Sequence, residues 1–276
     1  MFNTLKEVDF AGLRGPFKSG RQSPTTLGAV LLFAVCLQAL LLYLEYFVGQ
    51  YSIYPNKELI LKVHLWACCI IAFFSVIYSI PLVFYRSQKI QYLLSIIVSQ
   101  NLFGVSAYIL GIMVLGTETE NSQASLITFT FITFVIGVLV FSITNIRLLL
   151  LLIGGKYKIG FTKYNQRNKL EKNSFTSLIL ISGVGILFIL QYLVRNTDWA
   201  DIETIFMVTL AVVLFYAMLF VLPEQLVILY CKYRFDSFNY EQNGQLKPIR
   251  DQDGNIVDEN VDEDISYKEL YEEMED

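Results

Sequence analysis

Six long apolar stretches dominate the sequence and limit what the chain can fold into. They comprise residues 27–49, 63–85, 92–115, 126–147, 175–194 and 204–231. The hydrocarbon core of a bilayer is about 30 Å thick and is crossed by about 20 apolar helical residues. Each stretch reaches that length. The sequence therefore predicts an all-α, polytopic membrane protein, a bundle of six transmembrane helices.

The composition of the 276-residue chain supports this prediction. Apolar residues make up 54% of it and charged residues 17%. A typical soluble domain is about 45 to 50% apolar and about 25% charged. This balance argues against a soluble domain, a disordered chain and a disulfide-rich secreted module.

The charges divide the chain into three predicted parts: a basic cytoplasmic arm (1–26), a six-helix membrane domain (27–235) and a flexible acidic cytoplasmic tail (236–276). Because the arm is rich in Gly and Pro, we expect no helix before Ser23 or Thr25, the candidate N-caps of the first span. Its basic residues are expected to lie against anionic headgroups.

The tail contains two features of its own. An Asp253-Gly254 step predicts a small hairpin. Residues 258–276 contain ten acidic residues and one lysine, and such a segment buries too little apolar surface to fold alone. We expect it to contact a basic loop on the same side of the membrane.

The basic residues lie almost entirely on one side of the predicted membrane. With the N-terminus inside, 18 of the 21 Lys and Arg residues fall in the arm, the inner loops and the tail. Because cytoplasmic segments carry such an excess, both termini are predicted to be cytoplasmic.

The most basic inner loop follows the fourth stretch. Its cationic residues are Lys156, Lys158, Lys163, Arg167, Lys169 and Lys172. We expect this cytoplasmic basic surface to contact the anionic headgroups of the bilayer. Nucleic acid is not expected as a partner, because the loop is short and contains no nucleic-acid-binding module.

Few residues in the sequence suit catalysis. His64 is the single histidine, no aspartate occurs between Asp9 and Asp198, and no nucleophile-elbow, P-loop or dinucleotide motif is present. We therefore predict no enzyme activity, no metal and no cofactor. The four cysteines lie in or beside apolar stretches and are expected to be free thiols. Outer loops without glycosylation sequons favour a bacterial plasma membrane over an organelle membrane.

Polar residues within the apolar stretches are the candidate binding residues, because charges in a membrane are costly and often functional. Glu45, Lys62 and His64 lie at similar depth, so Glu45 can pair with either cation to close the hairpin, or with His64 form a proton or cation site. Gln100 and Asn101 are adjacent carboxamides near mid-bilayer. They predict either interhelical hydrogen bonds or a hydrophilic path. The binding hypothesis therefore comprises Gln100, Asn101, Glu45 and His64.

The fourth stretch suggests a second charge pair. Arg147 and Glu224 fall at comparable depth in two inward-running spans, where pairing would neutralise both. Apolar residues continue past Arg147, giving more length than one crossing needs. We expect the Gly154-Gly155 pair to end this helix.

These observations leave three hypotheses for function. The first is a non-catalytic subunit, anchor or protective partner of another membrane or membrane-surface protein, or of a second copy of this chain. The second is a small transporter or channel subunit for an ion or small solute. The third is an intramembrane lipid-active enzyme that uses Glu224 or Glu45.

Overall fold

The computed structural model describes residues 5–118, 122–159, 161, 200–250 and 256. This part of the chain is helical and contains no β-strand, only two isolated antiparallel bridges. The α-helices are α1 (Gly15–Lys18), α2 (Pro24–Tyr51), α3 (Lys57–Tyr78), α4 (Pro81–Phe84), α5 (Gln88–Ser99), α6 (Ala107–Leu115), α7 (Gln123–Ile153) and α8 (Ala200–Arg234). A π-helical segment, Gln100–Ser106, joins α5 to α6, and 3-10 helices cover Glu7–Arg14 and Asp236–Phe238.

Five helices in the described residues are long and apolar enough to cross a membrane. They are Pro24–Tyr51, Lys57–Tyr78, Gln88–Leu115, Gln123–Ile153 and Glu203–Arg234. Many of their large apolar side chains, such as Phe33 and Phe131, point outward and are more than half exposed. The chain is thus a membrane-embedded helical protein. The predicted span at 175–194 lies outside the described residues.

The ends of the helices follow local sequence. Ser23 is the N-cap of α2, and its side chain accepts a hydrogen bond from Thr26 N at 3.2 Å, which confirms that prediction. Helix α7 ends at Ile153, where Gly154 is the C-cap and Gly155 has a φ of +65°. The predicted role of the glycine pair is therefore confirmed.

The second span ends earlier than predicted, at Tyr78 instead of residue 85. Proline provides the reason. Pro81 is the first residue of the separate helix α4, and Ile80 before it is extended. A proline ring disfavours helical geometry in the preceding residue and is well suited to the first turn of a new helix.

The bundle has two ends, which we call the arm face and the opposite face. At the arm face, Gln91 Nε2 donates to the carbonyls of Pro24 at 2.9 Å and Tyr78 at 3.1 Å, which joins α2, α3 and α5. At the opposite face, Ile53 N donates to Gly116 O at 2.8 Å. A Cβ at Gly116 would lie 2.2 Å from Ser52 Oγ, so any other residue there would displace the Ser52 side chain.

Helix α8 packs mainly against α6, α7 and the π-helical segment. Gly111 on α6 faces Ala211 on α8 so closely that an added Cβ would lie 2.5 Å from Ala211 Cβ. Small residues at such a crossing let two membrane helices approach and gain van der Waals contact.

The arm is folded, so the expectation that it contains no helix before Ser23 is wrong. Phe10, Leu13 and Phe17 are at most 1% exposed and belong to one apolar cluster with residues of α5, α7 and α8. Their spacing of three and four residues gives the arm one apolar face, whose burial outweighs its Gly and Pro content. Arg14 is 1% exposed and donates to Lys247 O, so it does not lie on the headgroups.

The predicted tail begins too early at residue 236, because residues 236–250 pack on the arm. Phe238 and Ile249 are fully buried. The Tyr240 hydroxyl donates to Phe17 O at 2.7 Å, and burial raises the pKa of Tyr240, which keeps it a donor. The bridge between Tyr240 and Leu246 closes a turn whose Gly244 has a φ of +84°.

Other expectations for this face are only partly within the described residues. Arg250 and Ile256 form an antiparallel bridge on either side of the Asp253-Gly254 step. Of the basic surface predicted to be cytoplasmic, Lys156 and Lys158 are described, and Lys158 Nζ lies 3.2 Å from Asp9 Oδ1. Its other four cations, and residues 258–276 with their expected contact to the loop, lie outside the described residues.

Candidate functional site

The only histidine of the chain is the centre of a buried polar cluster, formed by Glu45, His64, Cys68, Asn101 and Ser106. His64 Nδ1 lies 2.7 Å from Glu45 Oε2. His64 Nε2 lies 3.3 Å from Asn101 Oδ1 and 3.4 Å from both Cys68 Sγ and Ser106 Oγ. All five residues are at most 7% exposed. The structure therefore brings three of the four predicted binding residues together.

Regular helical spacing positions part of this cluster. His64 and Cys68 are four residues apart on α3, so they share one face of the helix. Glu45 on α2 follows Gln38 by two turns, and both are buried, at 0% and 2% exposure. These faces of α2 and α3 meet in the hairpin that the two helices form.

The π-helical segment positions the rest. Asn101 and Ser106 are five residues apart, and in an α-helix at 3.6 residues per turn they would point about 140° away from each other. A π-helix is hydrogen-bonded from residue i to residue i+5, so residues at this spacing lie nearly above one another. This geometry directs both side chains to His64. Such segments often occur at functional sites.

Two buried polar atoms beside the cluster have no hydrogen-bond partner within the described part of the chain. They are Glu45 Oε1 and Gln38 Nε2. Buried polar groups are nearly always paired, and an unpaired one is a position for water, an ion or a substrate group. The Gln38 side chain also lies beside the Cys68 sulfur, so Glu45 Oε1 is the clearer position for a ligand atom, one that donates a hydrogen bond or carries positive charge.

The cluster lies nearer the opposite face than the arm face. Glu45 is six residues before the end of α2 and His64 seven after the start of α3, about 10 Å along each helix at 1.5 Å per residue. A buried apolar layer lies between the polar cluster and the arm face. It consists of Leu31, Ala34, Leu94, Val98 and Leu102. This layer separates the polar cluster from Gln91 at the arm face.

Gln100, the fourth predicted binding residue, lies outside the cluster. Its Nε2 donates to Met218 O at 3.0 Å and to Gln225 Oε1 at 3.1 Å, so it joins the π-helical segment to α8. Lys62, the alternative partner of Glu45, is exposed. The two adjacent carboxamides therefore make different contacts: Gln100 with α8 and Asn101 with His64 on α3.

The predicted pair of Arg147 and Glu224 is not brought together. Arg147 is exposed, and the ion pairs within the described residues do not join it to Glu224. Between α7 and α8 the facing residues are Asn145, Leu148 and Leu149 on one side and Pro223, Leu226 and Val227 on the other.

Sequence reasoning missed Cys68, Ser106 and Gln38 as neighbours of the candidate site. Two signals were present: Cys68 follows His64 at helical spacing, and Gln38 precedes Glu45 by two turns. Ser106 carried no signal, because its orientation depends on the π-helical segment. In the described ranges, no group of three or more His, Cys, Asp or Glu side chains suits a metal ion.

No protein-family model, curated protein or solved structure matches the chain. Any functional interpretation of the polar cluster therefore depends on the geometry of the cluster itself.

Proposed function

We propose that the protein is a small membrane transporter or channel subunit in which the polar cluster binds and releases a proton. The observation that carries this proposal is the set of groups around His64 Nε2. One of them, Asn101 Oδ1 at 3.3 Å, can only accept a hydrogen bond, whereas Ser106 Oγ and Cys68 Sγ at 3.4 Å can donate.

This set can satisfy both protonation states of the imidazole. In the imidazolium form, Nε2–H donates to Asn101 Oδ1 and Nδ1–H donates to Glu45. In the neutral form with the proton on Nδ1, Nε2 accepts from the Ser106 hydroxyl or the Cys68 thiol. Neither state leaves the buried ring nitrogen without a partner, so a proton can be gained or lost at a small cost in hydrogen bonding.

Glu45 provides the negative charge that balances the imidazolium. Its carboxylate is fully buried and contacts His64 through Oε2 alone. A lone buried carboxylate is costly, so loss of the proton favours entry of a second positive group. Glu45 Oε1 is the free acceptor position for water or a cation that would replace the proton.

The position of the cluster suggests how access alternates. The path from the opposite face is short, about 10 Å along the helices, whereas the apolar layer closes the path to the arm face. Transport would require α2 and α3 to move relative to α5 so that this layer opens. Rocking of one part of a bundle around a fixed site is the usual form of alternating access.

The first test uses the fact that His64 is the only histidine. Protein labelled with ¹⁵N-histidine and reconstituted in liposomes gives side-chain resonances from His64 alone. We expect them to shift from imidazolium to neutral imidazole as the pH is raised, and Asn101→Leu to alter this titration. Exposed Glu58 supplies the control, because Glu58→Gln leaves the cluster intact. Resonances that never change with pH would contradict the proposal.

The second test measures proton movement directly. Liposomes containing the protein and a trapped pH-sensitive dye are given a pH gradient and a membrane potential. We expect proton flux above that of empty liposomes, lost in Glu45→Gln and His64→Gln and kept in Glu58→Gln. Wild-type-like flux in both cluster variants would exclude this site as the proton path.

The burial of its nucleophiles argues against an enzyme at the polar cluster. Cys68 Sγ and Ser106 Oγ both lie 3.4 Å from His64 Nε2, and both residues are at most 1% exposed. We therefore propose no catalytic role for Glu45 or Glu224. A bacterial plasma membrane with both termini in the cytoplasm is part of the proposal. Outer loops without glycosylation sequons favour that membrane, and the distribution of basic residues supports that orientation.

A second candidate is a non-catalytic partner of another membrane protein or of a second copy of this chain. The observation that favours it is the folded arm face, where residues 241–245 form an exposed turn above a buried core. A photo-crosslinker at Gln242 should give one discrete adduct, whereas one at lipid-facing Leu59 should not. Adducts of no defined mass at Gln242 would count against this role.

A further inference from the structure

A pocket of about 420 Å³ opens at the arm face, separate from the polar cluster. It lies between the start of α5, the end of α8 and the segment 236–247. Its charged lining residues are Arg86, Lys89, Asp236 and Lys247. Tyr85, Tyr233 and Tyr240 add aromatic walls.

The pocket has an excess of positive charge. Lys247 Nζ is 3.9 Å from Asp236 Oδ2, and the Asp236 side chain is 88% exposed, so water screens this pair strongly. Lys89 Nζ lies 5.3 Å from the centre of the Tyr233 ring. Within the described residues, no ion pair involves Arg86 or Lys89. Two or three cations thus remain available to an anion.

The start of α5 adds a second, independent attraction for an anion. Ser87 is the N-cap but its side chain makes no capping hydrogen bond. The N–H groups of Ile90 and Gln91 donate to Ser87 O at 3.0 Å, so among the described residues only the N–H groups of Gln88 and Lys89 lack a backbone acceptor at this end of the helix. The helical run continues from Gln88 to Leu115. A helix N-terminus carries partial positive charge and binds phosphate groups through its free N–H groups.

One side chain holds the two walls of the pocket together. Gln88 Nε2 donates to Tyr240 O at 2.9 Å, and Gln88 Oε1 accepts from Tyr240 N at 2.8 Å. This paired hydrogen bond fixes the segment that carries Lys247 over the start of α5. The cations are therefore placed in advance, which reduces the entropy lost when a ligand binds.

We propose that this pocket binds the phosphate headgroup of an anionic phospholipid. The position of the pocket favours a lipid over a soluble anion, since it lies where the spanning helices end. Exposed Ile90 lines it, and exposed Leu82 is three residues before the lining residue Tyr85. A headgroup in the pocket would leave its acyl chains along these side chains. Basic pockets between helices at the cytoplasmic side are typical sites for such headgroups. This inference does not depend on the proposed transport function.

The test is a lipid titration of the full chain in detergent, followed by native mass spectrometry. Dimyristoyl phosphatidylglycerol should bind at least about tenfold more tightly than the matched phosphatidylcholine. Each of Arg86→Gln, Lys89→Gln and Lys247→Gln should weaken phosphatidylglycerol about fivefold, the equivalent of about 1 kcal/mol per surface charge. Equal affinity of wild type and all three variants would overturn the proposal.

Two controls separate charge from architecture. Lys57→Gln with Lys62→Gln removes two cations at the opposite face and should leave the phosphatidylglycerol preference unchanged. Gln88→Leu keeps every cation but removes the paired hydrogen bond to Tyr240, and it should reduce the preference. An unchanged preference in Gln88→Leu would show non-specific attraction to basic residues and would refute a built site.

Two further arms identify the source of the anion. Glycerol 1-phosphate should compete at no less than about a hundredfold higher concentration than the lipid; equal competition would indicate a soluble phosphate ligand and overturn the lipid assignment. A chain ending at Ile256 lacks the acidic residues 258–276. If the shortened chain prefers phosphatidylglycerol and the full chain does not, the acidic segment occupies the pocket in the full chain and the proposal is wrong.

Discussion

Asn101 and Ser106 stand five residues apart on the π-helical segment, and each places a polar oxygen within 3.4 Å of His64 Nε2. An α-helix would turn one of them away. The π-helical segment thus determines which groups contact the imidazole, so the composition of the polar cluster depends on a local change of helix type in the third span.

A double-mutant cycle can measure this relationship. We expect a coupling of about 0.6 to 1.7 kcal/mol between His64→Gln and Asn101→Ala, the range found for hydrogen bonds between membrane helices. The readout is the free energy of unfolding in a detergent titration. Gln100→Ala is the matched control, because Gln100 contacts α8. Coupling of equal size for Gln100 would mean that the cycle does not report the contact.

Removal of the carboxylate should destabilise the fold strongly. Glu45→Ala leaves His64 without its partner at 2.7 Å, and breaking a buried pair from one side costs about 3 to 5 kcal/mol. Glu45→Gln keeps a hydrogen-bond acceptor and should cost less. The same unfolding assay checks both, with Glu58→Ala on the exposed start of α3 as control. A loss under about 1 kcal/mol for Glu45→Ala would contradict the buried-pair interpretation.

The sequence was sufficient to locate the spans because hydropathy and length act locally. Five predicted spans correspond to described helices. The first, third and last differ from the prediction by at most four residues at either end. The second begins six residues earlier and ends before Pro81, and the fourth ends six residues later. The contact between Glu45 and His64 could also be predicted from the sequence, since one short turn joins their helices. Such features need no knowledge of the packing of distant segments.

The remaining features depend on tertiary contacts. Phe10 and Phe17 fold the arm because Phe238 and Tyr240, more than 200 residues later, cover them. Hydropathy marks the arm as a polar extension and cannot pair it with the tail. The π-helical segment leaves no pattern in the sequence either, because its residues read as ordinary apolar helix.

The close crossing of α6 and α8 gives a test with its own rescue. Gly111→Ala would place a Cβ 2.5 Å from Ala211 Cβ, and overpacking of this kind costs about 1 to 3 kcal/mol. Adding Ala211→Gly makes room again, so the double variant should regain most of the lost stability. The measurement is the free energy of unfolding of each variant. A double variant no more stable than Gly111→Ala alone would contradict the close contact between Gly111 and Ala211.

The core of the arm face should depend on the end of the chain. Phe238 is fully buried, its ring lies 6.2 Å from that of Phe17, and Lys232 Nζ donates to its carbonyl at 2.7 Å. Phe238→Ala should cost about 3 to 5 kcal/mol of unfolding free energy, as for other buried aromatic residues. Phe33→Ala removes a ring that is 70% exposed toward lipid and should cost far less. Equal losses would contradict a packed arm face.

The two faces of the bundle should open to different compartments. Glu58 and Lys156 are both exposed; Glu58 starts α3 at the opposite face, and Lys156 follows the end of α7 at the arm face. A membrane-impermeant maleimide added to sealed inside-out vesicles should label Lys156→Cys but not Glu58→Cys, and right-side-out vesicles should give the reverse. The unsubstituted chain is the blank, because Cys36 and Cys69 lie within spans and Cys68 and Cys231 are buried. Labelling of both variants from the same side would place the two faces in one compartment. That result would contradict both the topology predicted from the basic residues and the proposed proton path.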